Sequence, residues 1–354
     1  MTSKKQINLG QVKIGQGAPI SVQTMTNTDT CDIDATLFQI NEAYSVGCDI
    51  IRVSCPTKES TIALKDILRS SPIPIIADIH FNYKRAIESI DAGAVCVRIN
   101  PGNTPESGIR EIVSAARANE ASIRIGINSG SLSKDLLDKY GEPTVDAIVE
   151  SAVINARHLE DLNFENFKIS VKSSNVKDMI DAYRKLSKLV DYPLHLGVTE
   201  AGPYFPGLIK SAIGIGSLLA DNIGDTLRVS LSTKDIKDEV KAGRQILKSL
   251  GLLKDSVNIV SCPTCARTLI DVVGISHEIE EYCERLQKQL KISVLGCVVN
   301  GIGEAMDADI GIHGFQEGVA KLYLKGKEIK TVADKDIITE MKALIDKVSS
   351  NNKY

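Results

Sequence analysis

Eight short runs rich in Val and Ile, each followed by a polar loop and an amphipathic stretch, constrain this 354-residue chain more than any other feature. They cover residues 20–25, 49–55, 74–80, 95–100, 122–128, 167–173, 193–200 and 226–232. Between them the spacing is helical. Ile109, Ile112, Val113 and Ala116 recur at i, i+3, i+4 and i+7, and Val145, Ile148, Val149, Ala152, Val153 and Ala156 extend such a stripe over three turns. Eight strands alternating with helices predict an α/β protein built on a parallel (β/α)8 TIM barrel. A doubly wound sheet would carry a Gly-rich phosphate loop after its first strand, and none follows residues 20–25.

The barrel pattern stops near Leu250, which divides the chain into residues 1–250 and a smaller α+β domain, 251–354. In the latter, strands are expected at 257–261, 292–299 and 321–324, with helices at 277–290 and 336–348. Residues 7–9 and 12–14 read as a hairpin around Gly10, placed to plug the bottom of the barrel.

Many barrel runs end on residues that a core would not choose. These are Arg52, Asp78 with His80, Arg98 with Asn100, Arg124 with Asn128, Lys172 with Ser173, His195 with Thr199 and Glu200, and Arg228 with Ser230. In this fold the carboxyl ends of the strands form the active-site face, so five basic groups converge on one cavity. Each arginine alone could pair with a rim carboxylate, but the strand ends offer only Asp78 and Glu200. Together the five call for an anion, and guanidinium forks suit phosphate oxygens.

Charge and composition narrow the partners. The net charge is −3 with no run of like charges, aromatics are 4% and Trp is absent, which argues against nucleic acid as a partner. No apolar stretch suits a membrane span or a secretion signal, so a cytoplasmic, reducing location is expected. Eight cysteines are then too sparse for a disulfide framework. Cys262, Cys265 and Cys297 form a Cys-x-x-Cys turn plus a third sulfur near a second strand end, followed by Asn300-Gly301-Ile302-Gly303-Glu304. A redox pair, a zinc site, an iron–sulfur cluster and buried thiols all compete for this pattern. Three sulfurs are too few for closed zinc, and Gly301 and Gly303 just before Glu304 suggest a loop that brings a carboxylate to a fourth iron. Cys283 lies on an apolar helical stripe and reads as core, as do Cys48, Cys55 and Cys96.

Ordered segments along nearly the whole chain resemble the bacterial 4-hydroxy-3-methylbut-2-enyl diphosphate synthase family of the non-mevalonate isoprenoid pathway. They include Val22-Gln23-Thr24-Met25-Thr26-Asn27-Thr28, Ala77-Asp78-Ile79-His80-Phe81, Val97-Arg98-Ile99-Asn100-Pro101-Gly102-Asn103, His195-Leu196-Gly197-Val198-Thr199-Glu200-Ala201-Gly202, Cys262-Pro263-Thr264-Cys265 and Gly296-Cys297-Val298-Val299-Asn300-Gly301. The resemblance implies a TIM barrel joined to a sulfite/nitrite reductase-like domain with a [4Fe-4S] cluster held by Cys262, Cys265, Cys297 and Glu304. It implies reductive ring opening and dehydration of 2-C-methyl-D-erythritol 2,4-cyclodiphosphate, with electrons from flavodoxin or ferredoxin. It also implies a homodimer in which each cluster domain caps the partner's barrel. On this reading Arg52, His80, Arg98, Asn100, Arg124, Asn128, Lys172, Arg228 and Ser230 hold the substrate, and Glu200 is the general acid. Two departures stand out: Ile302 replaces the family's usual Pro, and Pro203-Tyr204-Phe205-Pro206 replaces a Gly- and Ser-rich loop. The rival expectations are a pterin-binding barrel transferase, which leaves the cysteines idle, and a non-enzymatic iron–sulfur or zinc protein, which leaves the cationic strand ends idle.

Overall fold

A computed structural model describes residues 3–80, 82–100, 104–253, 256–284, 286 and 288–350. It divides into two compact units, Met1–Leu252 and Leu253–Tyr354.

The first unit opens with an antiparallel hairpin, β1 (Gln6–Leu9) and β2 (Val12–Gly15). The eight barrel strands follow: β3 (Ser21–Met25), β4 (Ile50–Ser54), β5 (Ile75–Asp78), β6 (Cys96–Ile99), β7 (Ser122–Asn128), β8 (Phe167–Lys172), β9 (His195–Leu196) and β10 (Thr226–Leu227). The helices that return the chain are α1 (Ile33–Ser45), α2 (Lys58–Ser70), α3 (Tyr83–Asp91), α4 (Glu106–Ala118), α5 (Lys134–Tyr140), α6 (Val145–Asp161), α7 (Val176–Leu186), α8 (Tyr204–Ala220) and α9 (Ile236–Ser249). The sheet runs β8-β7-β6-β5-β4-β3-β10-β9 with every pairing parallel.

A bridge between Ile169 and Leu194 joins the two ends of this sheet, with the Ile169 N–H on the Pro193 carbonyl at 3.0 Å. That seam is thin, and a buried tyrosine reinforces it. The Tyr183 hydroxyl, from α7, donates to the His195 carbonyl and accepts from Val171 N–H at 3.1 Å. The last two barrel strands are shorter than the runs that predict them, because their carboxyl halves leave the ladder as loops.

Strand alternation sorts the barrel residues. On β7, Ile123, Ile125 and Ile127 face the helices, whereas Arg124 takes the other face; on β8, Phe167, Ile169 and Val171 alternate with Lys168, Ser170 and Lys172. At the floor, Ile7, Leu9 and Ile14 of the hairpin bury themselves against Ile50, Ile76 and Cys96. The expected plug is present.

The second unit is a five-stranded sheet, β11-β12-β13-β14-β15, comprising β11 (Val257–Ser261), β12 (Leu290–Leu295), β13 (Ile310–Gln316), β14 (Val319–Leu324) and β15 (Lys327–Ala333). The first three strands pair in parallel and the rest are antiparallel. Helices α10 (Val272–Cys283) and α12 (Ile337–Ser350) cover one face through Ile275, Ile279, Cys283, Met341 and Ile345. Helix α11 (Val298–Met306) lies on the other, where small residues let it come close. A Cβ at Gly301 would stand 2.4 Å from His313 Cβ, and one at Gly311 would stand 2.5 Å from Ala305 Cα.

This corrects the sequence reading in two places. Residues 298–299 begin a helix and do not extend a strand. Gly301 serves close packing of that helix, not the freedom of a loop.

Candidate active site

The register of neighbouring strands builds the barrel site. Asp78 of β5 lies opposite Arg98 of β6, Arg98 opposite Arg124 of β7, and Arg124 opposite Lys168 of β8. Met25 of β3 lies opposite Arg52 of β4. One carboxylate organises the centre: Asp78 Oδ1 is 3.4 Å from Arg98 Nη1 and 3.9 Å from Arg52 Nη1, and its Oδ2 is 3.5 Å from His80 Nε2. Burial would raise the Asp78 carboxyl, but Arg52, Arg98 and His80 outweigh it and hold the group below the usual carboxylate range.

The remaining cations have separate supports. Arg124, 1% exposed, donates from Nε and Nη2 to Ser170 Oγ at 3.2 and 3.0 Å, leaving Nη1 without a partner. Arg228 leans on Glu239 of α9 at 3.2 Å, and that carboxylate also accepts from Thr24 Oγ1 at 2.5 Å and Leu231 N–H at 3.0 Å. Both Arg52 and Arg228 point N–H groups at Met25 Sδ, at 3.0 and 3.6 Å respectively. Gly197 leaves room beside Lys172: a Cβ there would stand 2.7 Å from Lys172 Nζ and 2.8 Å from the Arg228 carbonyl. Burial pushes Arg52 down to about 10, and burial with the neighbouring arginines pushes Arg124 and Lys172 well below their ordinary values. These groups are therefore held together without enough negative charge to offset them.

Seven of the ten nominated barrel residues thus form one neighbourhood: Arg52, His80, Arg98, Arg124, Asn128, Lys172 and Arg228, with the Asn128 backbone opposite that of Lys172. Asn100 is buried just beyond β6, and Ser230 is half-buried two residues past Arg228. Glu200 is different. It is exposed on left-handed backbone, φ 52°, and makes no ion pair with the arginines among the described residues. Residues 81 and 101–103, part of the quoted motifs, lie outside the described residues.

Two interior residues went unnominated, Glu239 and Lys168, and His195 was noted at its strand end without a role. Lys168 was marked in the sequence by the period-two series Lys168, Ser170, Lys172. Glu239 was not, because an acid in the first turn of a helix is ordinary there.

In the second unit, the two thiols of the turn and the third sulfur gather at the carboxyl edge of β11 and β12. Ser261 lies opposite Val294, so Cys262 and Cys297 leave adjacent strand ends, and Cys262 Sγ accepts the Gly296 N–H at 3.2 Å. Thr268 closes the turn, accepting from Cys265 N–H at 2.9 Å while its own N–H reaches the Cys265 carbonyl. Cys297 occupies the N-cap position of α11, with no capping hydrogen bond from its side chain. All three are free, Cys265 exposed and the others half-buried.

Glu304 does not join them. It sits in α11, where its carboxylate is 3.9 Å from Lys291 Nζ, at the amino end of β12 and away from the cysteine edge. Among the described residues no three His, Cys, Asp or Glu side chains are placed to grip one metal ion. The chemistry of the donors, three thiols with an N–H···S bond, suits an iron–sulfur group, but in this arrangement the three sulfurs are not set around one point and Glu304 lies apart from them. His313, held by the Gly314 carbonyl at 3.1 Å and Tyr323 OH at 3.3 Å, is a core residue.

Comparison with known proteins decides the family. Residues 4–244 match the model of the GcpE TIM-barrel domain, and residues 258–347 match that of the GcpE protein C-terminal domain. The chain belongs to the GcpE family. It is similar to 4-hydroxy-3-methylbut-2-en-1-yl diphosphate synthase (flavodoxin) of Zymomonas mobilis, 52% identical over 97% of this chain and 91% of that one. The protein of the same name from Clostridium perfringens is 48% identical, over 97% and 98%. The fold also resembles dihydropteroate synthase from Stenotrophomonas maltophilia, with TM-score 0.52 and 12% identity over 70% of this chain and 98% of that one. No helix among the described residues is long and apolar enough to cross a membrane.

Proposed function

We propose that this member of the GcpE family opens the ring of 2-C-methyl-D-erythritol 2,4-cyclodiphosphate reductively and removes water, giving 4-hydroxy-3-methylbut-2-enyl diphosphate. The observation that carries the reading is the group of converging, under-compensated cations at the carboxyl ends of the barrel strands. A cyclic diphosphate gains negative charge when its ring opens, because a bridging ester oxygen becomes terminal. Cations fixed before the reaction stabilise that change without reorganising.

On this reading Arg52, Arg98, Arg124, Lys172 and Arg228 hold the phosphoryl oxygens, and His80, Asn100, Asn128 and Ser230 supply further hydrogen bonds. Asp78 and Glu239 keep the guanidinium groups aimed. Glu200, on its exposed turn, donates a proton to the departing hydroxyl as the loop closes on the substrate.

Cys262, Cys265 and Cys297 would hold a [4Fe-4S] cluster, which would supply single electrons. The resemblance makes Glu304 the fourth ligand, and that role would require it to leave Lys291. Flavodoxin, which the relatives' names carry, is the electron donor. We further assign a cytoplasmic homodimer in which the cysteine unit of one protomer serves the barrel of its partner. Mixing the inactive variants Glu200→Gln and Cys265→Ser should then restore activity, and no recovery from verified mixed dimers refutes the sharing.

The activity itself is tested with anaerobically purified protein, the cyclodiphosphate and a chemical reductant. Formation of the open diphosphate supports the reading. A colourless protein holding stoichiometric zinc and inert toward the cyclodiphosphate overturns it.

A further inference from the structure

Beneath the arginines is a group that the proposed reaction does not use. Lys168 is fully buried on β8, and its Nζ has no hydrogen-bond partner among the described residues. Its backbone lies opposite that of Arg124, and Lys172 follows on the same face of its own strand. The ionisable groups that face it are Arg52 from β4, Cys96 from β6, Arg124 from β7 and His195 from β9. None of these is a carboxylate. Six cations line this interior (Arg52, Arg98, Arg124, Lys168, Lys172 and Arg228) against two acids, Asp78 and Glu239. A dry interior does not hold such an excess fully charged, and lysine releases its proton far more readily than arginine.

We propose that Lys168 is the acceptor of a proton that the protein takes up from solvent when the cyclodiphosphate binds. The inference rests on the anion-site reading above and deepens it. In the free barrel the amine is neutral over part of the working pH range; an anion among the arginines offsets their charge and lets the amine become ammonium. The step is a single protonation, amine plus proton giving ammonium, with no bond to the ligand.

Burial and the neighbouring arginines support the assignment, pushing Lys168 down to about 8. The neighbours do not fill the role as well. Burial keeps Cys96 a thiol and pushes His195 well below its ordinary value. Lys172, pushed well below its ordinary value by burial and the same arginines, stands among the phosphate-seeking groups, so any proton it gains on meeting the ligand adds to that of Lys168 and is separated from it by the Lys168 variants.

Titration calorimetry of the full chain, without reductant and in buffers of different ionisation enthalpy, tests this. The cyclodiphosphate suits the purpose because its two acidic oxygens are ionised well below neutral pH and contribute no proton of their own. Near pH 9 the wild type should take up at least about one proton per ligand bound, falling toward zero near pH 6, and the Lys168 share of this should lower its affinity up to about tenfold per pH unit above 8. Lys168→Met should take up about one proton fewer per ligand than the wild type near pH 9, with a correspondingly shallower pH profile. It should also be at least as stable as the wild type at neutral pH, since it removes a buried group that has no hydrogen-bond partner among the described residues. Lys168→Arg, which is far harder to deprotonate, should lose the same proton. If the cyclodiphosphate does not bind the wild type, the anion-site reading falls. If it binds without proton uptake, or Lys168→Met retains the whole uptake, the assignment to Lys168 falls and the anion site stands.

Discussion

Replacing Asp78 by Asn removes the one negative charge shared by Arg52, Arg98 and His80 while keeping the shape of the side chain. At 3.4 and 3.9 Å, each arginine contact is worth about 4–5 kcal/mol gross at an effective dielectric of about 20. Desolvation takes back much of this, and removing one partner of a buried pair leaves a net loss of about 3 kcal/mol. For a unit of this size that lowers the melting temperature by about 6–12 °C.

The sign with pH follows from the lowered Asp78 pKa. Its contribution is present above the ordinary carboxylate pKa and is lost as pH falls through the lower folded value. The gap between wild type and variant should therefore close below about pH 4. The decisive comparison is thermal unfolding with and without the cyclodiphosphate. Ligand at about a hundred times its Kd adds about 2.7 kcal/mol to the wild type. It should add more to the variant, because the bound anion supplies the charge that was removed. An equal or smaller shift in Asp78→Asn would refute the argument that this cluster is short of negative charge.

Other outcomes follow from the same geometry. Anaerobic reconstitution should give about four iron and four sulfide per chain; Cys262→Ser, Cys265→Ser and Cys297→Ser should each lower that content sharply in a chemical assay, and Cys283→Ser should not. Lys291→Ala removes the cation that bonds Asp307 and stands 3.9 Å from Glu304, and should raise cluster occupancy at limiting iron; unchanged occupancy would show that this weak ion pair does not compete with ligation. Gly197→Ala should weaken cyclodiphosphate binding by about tenfold, roughly 1.4 kcal/mol by calorimetry, because its Cβ would meet Lys172 Nζ at 2.7 Å and the immovable Arg228 carbonyl at 2.8 Å. Gly216→Ala, with open space around it, is the control.

The barrel was legible because each of its strands keeps hydrophobic residues on the helix-facing side, and polar residues at the carboxyl ends broke that pattern where the site lies. Its balance of charge was not. The strand ends show only Asp78 and Glu200 as carboxylates near the arginines, whereas Arg228 takes its carboxylate from Glu239, eleven residues on and in a helix. In the second unit, strand propensity misled at Val298 and Val299, where packing of α11 against β13 overrides it and leaves Val299 63% exposed. Strands β13 and β15 were missed for different reasons. β13 contains Gly311 and Gly314, and β15 is an edge strand with one buried residue, so neither shows a clear alternation. Glu304 was nominated from its neighbours in sequence, but neighbours along a helix need not share a destination.

The hairpin at the amino terminus makes the barrel a cul-de-sac. With Ile7, Leu9 and Ile14 seated on Ile50, Ile76 and Cys96, solvent displaced by an entering molecule has to retreat past that molecule through the same opening. A fusion partner attached ahead of residue 3 would stand at the closed end, out of the traffic. Trimming the first fifteen residues would strip the apolar cover from the floor and admit water from below to the interior charges.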